Sequence, residues 1–207
     1  NLTGCYEFTD SSKSDLRPVA VMINNLSSAQ KVQTGITGAS IVYEALAEGG
    51  ITRLLAVYKD IGSMGEIGTI RSARYSFVDL ANGHDALYFH CGLDKTYCGP
   101  YMKSMKLDDI DINTGIYEKY GYRFKNGLAW EHTMYTSGEL IKQSMIEKNR
   151  RTTQDTGHSS PWQNFAAEDK SVTHSDGFAT TASVYFSGSY ITTFKYDSTS
   201  QKYVKHN

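Results

Sequence analysis

The chain has 207 residues, with 21 lysines and arginines against 22 acidic side chains and a net charge of −1. At 40% apolar and 21% charged residues it is a folded, water-facing chain, with no apolar run of the ~18–20 residues a bilayer crossing needs. Near-zero net charge argues against a nucleic-acid binder with a dominant basic surface.

In chain order, residues 6–16 are polar and read as an opening loop. Val19-Ala20-Val21-Met22-Ile23 is a short, β-branched apolar run and predicts a buried strand ending at Asn24-Asn25. Residues 37–47 fit a short helix or a strand, and Thr52 to Tyr58 predicts a second strand. A Gly-rich stretch then leads to Thr69-Ile70-Arg71, a strand end. Ser72 to Asn82 has helical spacing with Gly83 as its stop, placing Arg74 in the first turn. Ala86 to His90 predicts a third strand. Residues 118–130 mix aromatic and basic side chains without a period. Ser137 caps an amphipathic helix that runs to about Asn149. After Arg151 the chain becomes Ser/Thr-rich. Residues 152–160 read as a linker, and 182–186 and 190–196 as antiparallel strands joined at Ser187-Gly188-Ser189, with a further strand beginning at Lys202. The expectation is an α/β domain over 1–150 followed by a smaller β-rich domain over 151–207, the second incomplete in this chain.

Three cysteines, Cys5, Cys91 and Cys98, form no CxxC or Cys/His cluster, so no structural metal is expected. Cys91 and Cys98 flank a short loop that a disulfide would close; spacing leaves this open. Leu2-Thr3-Gly4-Cys5 has the form of a lipobox. A working one needs an apolar segment ahead of it, and only Asn1 precedes it, so it reads as a turn at the start of the domain.

The strongest chemical constellation is basic. Arg53 follows the loop Glu48-Gly49-Gly50-Ile51-Thr52, and Arg71 and Arg74 flank Ser72-Ala73. Guanidinium forks beside a strand end and a helix start suit a phosphate or carboxylate. The structural alternative is that they pair with Glu44, Glu48 or Asp79. His90, at a strand end, and His132, at a loop-to-strand junction, are candidate general bases, with a hydrogen-bonded structural role as the alternative for each. His84, His158, His174 and His206 read as solvent-facing. Glu44 and Glu48, four apart, would share a face on a helix and hold a cation; a solvated acidic face or a pair of arginine partners is the alternative. No GxSxG, Walker, HExxH or GxGxxG pattern occurs, and no cofactor is expected.

RPVAVMINN (17–25), QTGITGASIVYEALAEGGITRLLAVY (33–58), IGTIRSAR (67–74), HDALYFHCG (84–92) and HTMYTS (132–137) resemble the YerB-like family of bacterial envelope lipoproteins, a domain of unknown function. The Trp162 region and the tyrosine-rich strands are similar to its smaller C-terminal domain. The resemblance implies export, membrane attachment through an upstream lipidated cysteine, and an α/β domain before a β-rich one. It places Arg53, Arg71, Arg74 and His90 within recurring motifs without supplying an activity. Ser40 stands where the resemblance leads one to expect an acidic residue before IVYE, a departure that counts against an acid or metal role there. A fold-level similarity to the LytR-CpsA-Psr phosphotransferases lacks the aspartate after the arginine, since Ser72 follows Arg71.

The sequence-level reading is an extracytoplasmic binding module. Arg53, Arg71 and Arg74, with Ser72 and Tyr135, would hold an anionic envelope ligand or cell-wall polymer, and His90 would lie nearby. One alternative is an enzyme acting on a phosphate-linked wall precursor, with His90 or His132 as base. The other is an assembly scaffold using the C-terminal sheet. An enzyme requires a histidine converging with the arginines; a binding module requires only the arginines.

Overall fold

The computed structural model describes residues 13, 15–125, 127–155, 157–158 and 177–206. Cys5, the opening tetrapeptide, His174, the Trp162 region and most of the opening loop lie outside them. So do residues 156, 159 and 160 of the 152–160 linker.

The main sheet has five strands: β1 (Val19–Asn24), β2 (Ile41–Leu46), β3 (Thr52–Tyr58), β5 (Leu87–His90) and β6 (Asp109–Asp111), in the order β2-β3-β1-β5-β6. Every residue of β1, β3 and β5 is buried, because both sheet faces are covered; that is why these strands read as unbroken apolar runs rather than alternating ones. One face carries α2 (Tyr75–Gly83) and α3 (Cys98–Ser104), which pack Phe77, Val78, Ala81 and Met102 onto Met22, Leu55, Val57 and Tyr88. The other carries α4 (Gly138–Glu147) and a small sheet of β4 (Glu66–Gly68), β7 (Tyr122–Arg123) and β8 (Met134–Ser137), which bring Ile141, Met145, Ile67 and Met134 onto Val21, Ile23, Ala56 and Phe89. A single four-residue helix, α1 (Ser27–Gln30), follows β1. The Ser137 hydroxyl accepts the Leu140 amide at 3.2 Å and caps α4, as its position before the amphipathic run predicts.

The β-rich region is a meander of β9 (Thr181–Ser187), β10 (Tyr190–Asp197) and β11 (Lys202–His206), in the order β11-β10-β9, with both pairings antiparallel. It docks on the β2–β3 end of the main sheet. Thr192 donates to Glu44 at 3.0 Å, Lys205 pairs with Glu44 at 3.0 Å, Ser187 donates to the Gly50 carbonyl at 2.7 Å, and Tyr190 donates to the Asn25 carbonyl. The chain is thus mixed α/β with a separate β-rich region. Residues 152–154 return to the first region, where the Arg17 amide meets the Thr152 carbonyl at 2.8 Å and the Gln154 amide meets the Asp15 carbonyl at 2.8 Å.

Several expectations are corrected. Residues 41–46 form an edge strand, so Glu44 and Glu48 share no helical face, and no metal-binding group of three or more His, Cys, Asp or Glu occurs among the described residues. Helix α2 starts at Tyr75, and Arg74 is its extended N-cap residue rather than a member of the first turn. Cys91 and Cys98 are both free thiols: Cys98 is buried against Met102, and Cys91 faces Asn113. His84 is fully buried rather than solvent-facing, with Nε2 2.7 Å from the Tyr43 hydroxyl.

Candidate functional site

Strands β1, β5 and β6 run parallel, so their carboxyl ends, Asn24, His90 and Asp111, lie along one edge of the main sheet. That edge, where the chain leaves a parallel array, is the usual location of ligands in α/β folds. The segment Ile70–Ala73 is threaded into it. Ile70 bridges to Ile23, the Arg71 amide donates to the Met22 carbonyl at 2.9 Å, the Cys91 amide donates to the Arg71 carbonyl at 3.1 Å, and Ala73 bridges to Leu93. The backbone on both sides of Arg71 is therefore fixed by β1 and β5.

A cavity of about 480 Å³ opens there, lined by Arg71, Ser72, Cys91, Gly92, Leu93, Lys95, Asp111, Asn113, Arg123, Trp130 and Glu131, among others. Arg71 contributes one Nη donor to the Glu131 carbonyl at 3.1 Å, while its buried Nε has no hydrogen-bond partner. Burial, opposed by Glu131, depresses the Arg71 pKa, which is the electrostatic signature of a cation short of solvation. Arg123 is braced by the Trp130 carbonyl at 2.7 Å and lies 3.9 Å from the Trp130 ring centre; that ring is 69% exposed. Lys95 is exposed and makes no ion pair among the described residues. Of the two acids in the lining, Asp111 is already committed to the amides of Gly92 at 2.6 Å and Asn113 at 2.9 Å.

Arg53 and Arg74 have a different fate. Arg53, only 1% exposed, donates to the Ser72 carbonyl at 2.5 Å and to Glu48 at 2.5 Å. Arg74 grips the same carboxylate through Nε and Nη2, both at 2.6 Å. The Arg74 hydrogen bonds, with the charge of Arg53, hold the Glu48 pKa down at about 2 against the opposing effect of burial. This is a closed clamp of two cations on one carboxylate, and it ties the loop after β2 to the start of α2.

His90 and His132 are both buried and neither lines the cavity. His90 lies beneath its floor, Nδ1 2.9 Å from the Gly92 carbonyl and Nε2 3.2 Å from Asp109. The Asn24 amide group donates to His132 Nδ1 at 2.6 Å, and burial, with Arg71 nearby, lowers the His132 pKa. Tyr135 is buried and donates to the Val32 carbonyl at 3.1 Å. Burial raises the Cys91 thiol to about 11, which makes it a poor nucleophile. Thus Arg71 and Ser72 of the sequence-level set meet in the cavity. Arg53, Arg74, Tyr135 and both histidines point elsewhere. Lys95, Arg123 and Trp130 complete the cavity without having been singled out.

Three similarities bear on the chain. Residues 2–153 match the family described as "Protein of unknown function (DUF3048) N-terminal domain". The "Putative lipoprotein YerB" of Bacillus subtilis (strain 168) is 35% identical over 156 residues, which are 72% of this chain and 43% of that protein. The crystal structure of YerB protein from Bacillus subtilis superposes with a TM-score of 0.75 at 27% identity, covering 99% of this chain and 65% of the other. The chain therefore spans less than half the length of this curated relative.

Proposed function

The chain belongs to the DUF3048 family, and on that premise we propose that it is part of an exported, lipid-anchored envelope protein that binds an anionic ligand in the Arg71 cavity. The name of the Bacillus relative, a lipoprotein, supports the location. No helix among the described residues is long and apolar enough to cross a membrane.

The observation that carries the binding reading is Arg71 itself. Its guanidinium is fixed at the sheet edge, its Nε is buried without a partner, and the neighbouring cations Lys95 and Arg123 leave the lining with unneutralised positive charge. A phosphate or carboxylate oxygen in the cavity accepts from the Arg71 Nη donors that the Glu131 carbonyl does not take, and the Ser72 hydroxyl adds a neutral donor. The catalytic alternative named a histidine base, and neither histidine lines the cavity. His90 is turned to Gly92 and Asp109, and His132 accepts from Asn24.

Calorimetric titration with inorganic pyrophosphate at low ionic strength tests this. Wild type is expected to bind, and Arg71→Ala and Lys95→Glu to bind at least about tenfold more weakly, as loss of one charge-assisted contact implies. Lys95 is a surface residue, so its variant keeps the fold. No heat with wild type, or equal affinity in both variants, would overturn the reading.

A further inference from the structure

We propose that the anionic ligand is a glycan, and that a second cavity, beside the first, holds the sugar ring next to the anionic group. This rests on the anion reading above and specifies its ligand class. The second cavity, of about 660 Å³, is lined by Ala47, Glu48, Arg74, Tyr75, Asp94 and Tyr97. One backbone seam divides the two. Ala73 and Leu93 are bridged, with Ser72 and Lys95 in the first lining and Arg74 and Asp94 in the second. Two residues of extended chain separate Ser72 from Arg74, roughly 7 Å. A single glycosyl phosphate unit spans that distance.

The chemistry of the second cavity is that of a saccharide site. Tyr97 is 72% exposed and Tyr75 is 51% exposed, so both offer ring surface to the apolar C–H face of a pyranose. The Tyr75 ring and the backbone at Tyr97 are held in place. Asp94 accepts the amides of Thr96 at 3.1 Å, Tyr97 at 2.9 Å and Cys98 at 3.1 Å, which fixes the loop carrying Tyr97. The Tyr75 ring packs 4.4 Å from that of Tyr101, which is anchored by its hydroxyl to Asp79 at 2.7 Å. Glu48 and Asp94 present carboxylate oxygens whose remaining lone pairs suit sugar hydroxyls, and the clamp keeps Glu48 ionised and oriented. Aromatic surface on a fixed backbone beside fixed charged acceptors lowers the ordering cost of binding.

The test compares inorganic phosphate, glucose and glucose 1-phosphate as calorimetric ligands for wild type, Tyr97→Ala and Arg71→Ala. Wild type is expected to bind glucose 1-phosphate at least about tenfold more tightly than phosphate. Tyr97→Ala should erase that advantage while leaving phosphate affinity unchanged, and Arg71→Ala should weaken both. Equal affinity of wild type for the two phosphates would overturn the glycan assignment and leave anion binding standing, as would a Tyr97→Ala protein that keeps the advantage. Failure of wild type to bind either phosphate would overturn both. Glucose binding that survives Arg71→Ala, with no gain from the phosphate, would contradict a shared ligand.

Discussion

Arg71 and Arg74 stand three residues apart in one short segment, yet the fold puts them to opposite uses. Arg74 joins Arg53 on a single carboxylate, so two cations and Glu48 satisfy one another and the group closes. Arg71 turns to the other side of the Ala73–Leu93 seam, where Asp111 is spoken for by backbone amides and the other cations are Lys95 and Arg123. Residue type is identical in the two places; what differs is the partner. A carboxylate grips Arg74 through two nitrogens, whereas Arg71 meets only the backbone carbonyl of Glu131 and no carboxylate is hydrogen-bonded to it among the described residues.

The largest expected effect is on stability, in the closed group alone. Glu48→Ala leaves the buried Arg53 without a counter-charge and should lower unfolding free energy by about 3 kcal/mol in chemical denaturation, against less than about 1 kcal/mol for Arg71→Ala. Equal losses would erase the distinction between the two groups.

Acid titration sharpens it next. Burial lowers the His84 pKa from 6.5 to about 4, so the unfolded chain takes up a proton first, and stability falls as pH drops through that window. The loss is about 2 kcal/mol between pH 7 and pH 4.5. Glu48, depressed from 4.5 to about 2, contributes fully above pH 4.5 and is lost as pH falls through about 2. A denaturation series on His84→Gln should therefore shrink the upper limb and keep the lower one, and Glu48→Ala should shrink the lower limb, to which Glu147 also contributes, and keep the upper.

Salt separates the groups by a different route. Raising ionic strength from about 0.05 to 0.5 M should weaken pyrophosphate binding severalfold, since Lys95 and Arg123 act partly through solvent, while the contribution of the buried Arg53 contact barely moves. The smallest effect is that of Trp130→Ala. Losing the exposed stack on Arg123 should cost about 0.5–1 kcal/mol of stability, with a modest loss of anion affinity from a less fixed guanidinium.

The parts of this molecule that were readable beforehand are those governed by local rules. VAVMI, TRLLAVY and ALYFH are continuous apolar runs because their strands are covered on both faces. The Ser137 cap and the SGS turn also follow from nearest neighbours. Strand β2 stayed ambiguous because an edge strand is only half covered and carries Glu44 inward to Thr52 and Asn25, which blurs its period. Strands β4, β6 and β7, of two or three residues each, are too short to show a period at all and exist through pairing with distant partners. His84 looked solvent-facing because the turn after α2 is polar, whereas its ring is packed under Tyr43 from another strand.

The site divides in the same way. The importance of Arg71 and Ser72 could be seen from their place at a strand end before a helix. Arg123 and Trp130 lay in a stretch without period, 50 and more residues away, and only the β7–β8 pairing carries them to the sheet edge. Lys95 had a nearer signal, since it sits in the loop directly after His90, at the carboxyl end of a central strand. The pairing of Arg53 and Arg74 with Glu48 was one of several partnerships the sequence allowed; distance alone selects it.

The central claim, that Arg71 rather than the Arg53–Arg74 clamp meets the anion, is tested most directly by following backbone amides in NMR spectra as inorganic pyrophosphate is added. The amides of Ser72, Gly92, Leu93 and Lys95 should shift in saturable fashion, while those of Ala47, Glu48 and Arg53 stay in place. Shifts centred on Glu48 and Arg53, or none at all, would contradict the account.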